Sequence, residues 1–208
     1  MTPQSVSRTC LVGLAGRSCS GKSSIAARLA ELLPGEALVL PLDHYYHDLG
    51  AMAFEERFRF NFDVPEAIDH DLLLSNLRDL ARGASAVRPV YLFPEHVRSP
   101  EGQRVGPVDW VIAEGLFALL WDEVRALLDL AVYVDAPDDL CLERRIARDV
   151  RERGRTPGSV VTQYTDTVRP MYEIHVAPTR KHADLVLDGQ RPLAESARVI
   201  CDRLQIAG

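Results

Sequence analysis

A chain of 208 residues is long enough to bury a substantial core but short for more than one full domain. With 47% apolar and 26% charged residues it reads as an ordinary soluble globular protein, and no run approaches the 18 or so apolar residues of a membrane span. A net charge of −6 argues against a general nucleic-acid binder, so neither a nucleic-acid nor a membrane partner is expected.

In chain order, Met1–Thr9 lacks the charged-then-apolar layout of a secretory signal. The apolar run Leu11–Ala15 predicts a buried strand. A helix follows over Ser23–Leu33, with Ile25, Leu29, Leu32 and Leu33 on one face. A second strand is predicted over Ala37–Leu42. The connection Asp43–Asp69 is rich in polar residues and long enough to suggest function. Leu73, Leu77 and Leu80 mark a helix over Asp71–Arg82 that stops at Gly83. Two β-like pieces, Val87–Tyr91 and Gln103–Val105, enclose a Pro/Gly-rich turn and predict a β-hairpin flap over 87–105. Strands over Trp110–Ala113, Leu130–Val134 and Leu185–Leu187 and a last helix over Leu193–Leu204 complete the series. This alternation predicts an α/β fold, a P-loop NTPase-type parallel sheet flanked by helices, in a single domain over 1–208. Cys10, Cys19, Cys141 and Cys201 form no C-x-x-C pair and no zinc spacing, as expected of reduced thiols in a cytoplasmic protein.

Chemistry enters at Gly16-Arg17-Ser18-Cys19-Ser20-Gly21-Lys22-Ser23, which matches G-x-x-x-x-G-K-[ST] between a strand and a helix. Glycines permit left-handed dihedrals, so successive backbone N–H groups turn inward around an anion, and the helix N-terminus adds its partial positive charge. Residues 16–24, Ser24 included, are therefore expected to bind ATP. Lys22 supplies charge to the β- and γ-phosphates and Ser23 a hydroxyl for Mg²⁺. The chain has no N-K-x-D guanine signature and lacks the bulk of a mechanical ATPase, so a small kinase is the expected class. Between Arg144 and Arg155 six arginines stand against Asp149 and Glu152, a concentration that points to an anionic ligand in an acidic protein.

Further segments extend this reading in order along the chain. They are Pro41-Leu42-Asp43-His44-Tyr45-Tyr46, the stretch Asn61–Asp69, Pro89-Val90-Tyr91-Leu92-Phe93-Pro94-Glu95-His96-Val97-Arg98, Ile112-Ala113-Glu114-Gly115 and Arg145–Arg155. Together with Gln163-Tyr164 and Pro178–Asp184 they resemble the uridine-cytidine kinase family from about Leu11 to Gly189. The resemblance implies that Asp43 receives the proton of a nucleoside 5′-hydroxyl, with Lys22 and Arg148 as further catalytic groups. It implies that Asp63, helped by Arg145 and Gln163, grips the ribose hydroxyls, and that Tyr91 and His96 read the base. Arg148, Arg153 and Arg155 match a lid over the ATP phosphates, in the region 144–163. Glu114, after its apolar run, stands where a Walker-B acid holds Mg²⁺ with Ser23, and Asp43 joins that metal set. Two positions depart from the family pattern. Leu92 stands where the family commonly has Asp, which would make the base-pocket wall more apolar, and His44 replaces a small residue. His44, His47, His70, His175 and His182 are otherwise given no role.

The implied partner is a small-molecule nucleoside. The family commonly forms homotetramers and is often inhibited by pyrimidine triphosphates; the sequence leaves both properties, and the choice between uridine and cytidine, open. The alternatives are a phosphoribulokinase- or pantothenate-kinase-like enzyme and a non-catalytic nucleotide-binding regulator. The acidic neighbourhood of Asp63, Glu66, Asp69 and Asp71 speaks against a phosphorylated acceptor, and retention of Lys22 and Asp43 against a regulator.

Overall fold

The computed structural model describes residues 8–206, so most of Met1–Thr9 lies outside the described residues. Strand β1 (Cys10–Gly16) leads into helix α1 (Lys22–Leu32), then β2 (Ala37–Pro41). The strand predicted over Ala37–Leu42 thus ends one residue early, because Leu42–Tyr45 closes into a 3₁₀ turn. Helix α2 (Phe54–Arg57) is one turn in the long connection, and α3 (His70–Ala81) is capped by Asp69, whose carboxylate accepts from Leu72 N–H at 3.2 Å.

The flap segment holds two antiparallel ribbons. Strand β3 (Ala86–Arg88) pairs with β6 (Gln103–Val105), and β4 (Tyr91–Leu92) pairs with β5 (Val97–Arg98) at the tip. Strand β7 (Trp110–Glu114) follows, then α4 (Asp122–Arg125), β8 (Leu130–Asp135) and α5 (Asp138–Arg153), which ends at Gly154 in the left-handed region. Helix α6 (Pro157–Gln163) continues through two π-helical turns, Tyr164–Val168 and Tyr172–Val176, on either side of α7 (Arg169–Met171). Pro170 lies between them. It has no N–H to donate and its ring crowds the preceding turn, conditions that a widened helix accommodates. Strand β9 (Leu185–Asp188) and α8 (Leu193–Arg203) complete the chain.

Five strands form one parallel sheet in the order β2-β7-β1-β8-β9. Being covered on both faces, they read as continuous apolar runs rather than alternating ones. Alternation is still visible in what they touch. Leu11 and Ala15 pack under α3 with Leu73, Leu77 and Leu80, whereas Val12 and Leu14 pack under α1 and α8 with Ile25, Leu29 and Ile200. Register brings Leu14, Glu114 and Pro41 into line across β1, β7 and β2. The loop after β1, the acid ending β7 and the turn after β2 therefore share one sheet edge, at the strand C-termini where α/β ligand sites gather. Among the described residues no helix is long and apolar enough to cross a membrane.

Candidate active site

The phosphate loop has the backbone its motif requires. Gly16 (φ 143°) and Gly21 (φ 107°) occupy positive-φ positions, and a Cβ on Gly16 would lie 2.3 Å from the Val134 carbonyl oxygen. Cys19 also takes a left-handed conformation (φ 64°), which only a minority of non-glycine residues adopt. Lys22 is buried and its Nζ donates to the Arg17 carbonyl at 2.9 Å, folding the side chain back over the loop. Ser24 is exposed on the first turn of α1.

The Arg17 side chain turns inward, while its carbonyl accepts from Lys22 in the loop. The residue is 8% exposed; its guanidinium lies 3.5 Å from the Tyr172 ring centroid and pairs with Asp138 at 2.5 Å. Tyr164 Oη donates to the same carboxylate at 2.8 Å, and Arg169 pairs with it as well. The loop apex is thereby fastened to α5 and to the π-helical segment. Arg17→Ala is expected to cost on the order of 2–3 kcal/mol in urea unfolding, at the low end because Asp138 keeps Arg169. Arg17→Lys should recover only part, lacking the planar fork that both pairs and stacks.

Across the sheet edge, Ser23 Oγ donates to Glu114 Oε1 at 2.9 Å. Burial is the main cause that raises the Glu114 carboxyl above its ordinary value; Lys22 opposes the rise and Asp43 adds to it. Asp43 accepts from Tyr46 Oη at 3.4 Å, and Tyr46 stands edge-on to both Phe62 (4.8 Å between ring centroids) and Tyr91 (5.5 Å). Asp63 follows in the same chain of contacts. Burial raises its carboxyl too, countered by Arg145 and reinforced by Asp43. His96 sits at the flap tip with φ 54°, its ring stacked on Phe62 at 5.1 Å and lowered in pKa by burial and then by Arg153. Tyr91 is buried, and its Oη has no hydrogen-bond partner. Neighbouring residues of a strand point to opposite faces, so with Tyr91 inward Leu92 is outward and 38% exposed.

The arginine segment is an ordered helix face organised by one acid. Asp149 is fully buried; Arg148 bonds it at 2.9 Å, while Arg145, Arg153 and Arg155 each approach it at 3.7 Å. Arg145 also donates to Ser18 Oγ at 3.0 Å and to Gln163 Oε1 at 3.3 Å, and Arg155 shares that amide oxygen. Gln163 is thus committed to the arginines. Arg153 also bears electrostatically on Asp63 and His96.

Two anchors were given no structural role in the sequence reading beyond Asp149 as a countercharge to the arginines. Arg98, on β5, donates to the Tyr46 carbonyl at 2.8 Å, the Tyr45 carbonyl at 3.0 Å and Asp69 at 2.9 Å, tying the flap to the turn that carries Asp43. Asp149 is the other. Both lay inside quoted motifs, but nothing in one sequence separates an anchoring arginine or a central acid from surface charge. Among the described residues no three His, Cys, Asp or Glu side chains form a metal cage, and all four cysteines are free.

A phosphate loop, a carboxylate beside it and an aromatic cluster under the flap are parts suited to a kinase with a small acceptor. Residues 11–192 match the model of the phosphoribulokinase/uridine kinase family. The chain belongs to that family. It is accordingly a phosphotransferase. Similar to it are a uridine kinase of Staphylococcus epidermidis, 42% identical over 183 residues and 88% of each chain, and a uridine kinase of Clostridium novyi, 40% identical over 90% of this chain and 91% of the other. Among solved structures, phosphoribulokinase of Rhodobacter spheroides shares the fold of this family member with a TM-score of 0.61 at 18% identity, over 89% of this chain and 74% of that one.

Proposed function

We propose that this chain transfers the γ-phosphoryl group of ATP to the 5′-hydroxyl of uridine, cytidine or both. The observation that carries the proposal is the position of Asp43, between the Ser23–Glu114 pair and the aromatic cluster of Tyr46, Phe62, Tyr91 and His96. A hydroxyl held there would meet a carboxylate on one side and a phosphoryl donor on the other. Similarity at about 40% to uridine kinases over most of the chain supports the choice of acceptor.

Phosphoryl transfer through a loose transition state asks mainly for positioning and charge stabilisation. The loop amides and Lys22 hold the β- and γ-phosphates, and Arg148, which bears on Asp43, meets charge on the moving group. Ser23, Glu114 and Asp43 fit Mg²⁺: they are hard oxygen donors, and burial leaves the Glu114 charge short of solvation. The bound ion would neutralise phosphate charge; these three residues would hold it. Asp43 orients the hydroxyl and takes its proton. Asp63, backed by Arg145, accepts from the ribose hydroxyls. The unpartnered Tyr91 Oη is a buried donor that a bound base would satisfy.

The test is ADP release with Mg-ATP and, in parallel, uridine, cytidine, adenosine, ribulose 5-phosphate and pantothenate. Turnover confined to the pyrimidine nucleosides is the expected result. 2′-Deoxyuridine should show kcat/KM lower by at least about tenfold, since a site built to bond a hydroxyl is left with an unpaired group. Turnover with ribulose 5-phosphate or pantothenate and none with a pyrimidine would replace the proposal.

A further inference from the structure

His44 stands next to Asp43, and its side chain reaches the flap. Its Nδ1 lies 3.2 Å from the backbone nitrogen of Tyr91, whose N–H is the only hydrogen on that line, so the ring accepts and its own proton sits on Nε2. The imidazole is half-buried and edge-on to Phe93 at 5.8 Å.

The bond joins two parts of the site that lie 46 intervening residues apart in the chain. One is the 3₁₀ turn that carries Asp43; the other is β4, which carries Tyr91. Arg98 fastens the neighbouring strand β5 to the same turn through two backbone carbonyls. The tip ribbon is therefore held at both strands, by Arg98 on β5 and by His44 on β4. The second bonds the backbone of Tyr91 directly, the residue whose hydroxyl is buried and unpartnered.

We propose that His44 is a positioning residue for the acceptor: its Nδ1 holds the Tyr91 backbone, and so sets the register between the aromatic cluster and the carboxylate at Asp43. The proposal rests on the nucleoside reading of that cluster. A small residue at this position reaches no flap atom, so the contact is a property of this chain's His rather than of its neighbours.

The test uses the full-length chain with His44→Ala and His44→Asn. Asparagine carries an acceptor, Oδ1, at the place of Nδ1, and so can keep the bond without the ring. Two readouts are paired: steady-state kinetics, and hydrogen exchange of the 86–105 segment without substrate. His44→Ala should raise the KM for uridine roughly fivefold to tenfold, the effect of one lost hydrogen bond, with the KM for ATP changed less than twofold. It should also speed amide exchange in the segment containing Tyr91. His44→Asn should bring both values back towards the parent. An Ala variant with unaltered flap exchange and uridine KM overturns the proposal, and so does an Asn variant no better than Ala. A parent protein inactive on pyrimidine nucleosides whose flap exchange still depends on His44 would instead remove the nucleoside reading and leave the tether standing.

Discussion

Asp43→Asn is expected to lower kcat by about 10²- to 10⁴-fold while the KM for uridine moves by no more than a few-fold. The amide keeps the size of the carboxylate and can still accept from the Tyr46 hydroxyl, which lies 3.4 Å from Asp43. What it loses is the capacity to take a proton from the attacking hydroxyl and to add negative charge beside Glu114 and Arg148. A loose phosphoryl-transfer transition state needs little proton transfer early, so that step carries little of the effect. Most of it comes from aiming the hydroxyl and from accepting the proton late. Steady-state kinetics with uridine varied at saturating Mg-ATP measures the split. A variant that turns over within tenfold of the parent would take Asp43 out of the chemistry, and a parallel rise in KM would reassign it to binding.

Asp63→Asn is expected to do two opposite things. The KM for uridine should rise by about one to two orders of magnitude, because a charged acceptor is exchanged for a neutral one. The preference over 2′-deoxyuridine should shrink with it. Stability should increase. Burial leads the causes that hold this carboxyl above its ordinary value despite Arg145. Between the unfolded and the folded pKa the native chain therefore binds more protons than the unfolded one, and stability falls as pH rises through that window. Above it the full penalty of the buried charge is present; below it none is. The Asn variant should accordingly melt higher than the parent at neutral pH and converge with it in acid, as thermal unfolding at several pH values would show. A variant that melts lower at neutral pH would mean that the Arg145 pairing outweighs burial. Function kept at a cost in stability is common at ligand sites.

The strands and long helices were legible because each is a continuous apolar run or a stripe of helical period, and a parallel sheet buries both faces of its strands. Leu11–Ala15, Trp110–Ala113 and the helix through Leu73, Leu77 and Leu80 came through within a residue or two. The phosphate loop was legible because glycine, lysine and serine at fixed spacing have a direct mechanical reading. Side-chain direction was not. Arg17 sits inside the loop motif, but its guanidinium turns inward because Asp138, Tyr164 and Tyr172 are there to receive it, and they lie more than 120 residues further on. Leu92, standing where the family commonly has Asp, was expected to make the pocket wall more apolar. The two-residue period of β4 sends it to the face opposite Tyr91. His44 looked incidental, since its partner is a backbone N–H, which has no signature in any sequence. The nested form of the flap and the π-turns around Pro170 escaped for a related reason: both are set by tertiary pairing rather than by local preference.

The lone acid inside the arginine face makes the site sensitive to its ionic surroundings. Asp149 can offset one positive charge, yet Arg145, Arg148, Arg153 and Arg155 all lean on it, and only Arg148 bonds it closely. The surplus is an attractive field waiting for a polyanion, and mobile counter-ions would occupy it when the nucleotide is away. Added salt should then weaken capture of the triphosphate much more than capture of the uncharged nucleoside. The order in which the two substrates bind would come to depend on ionic strength.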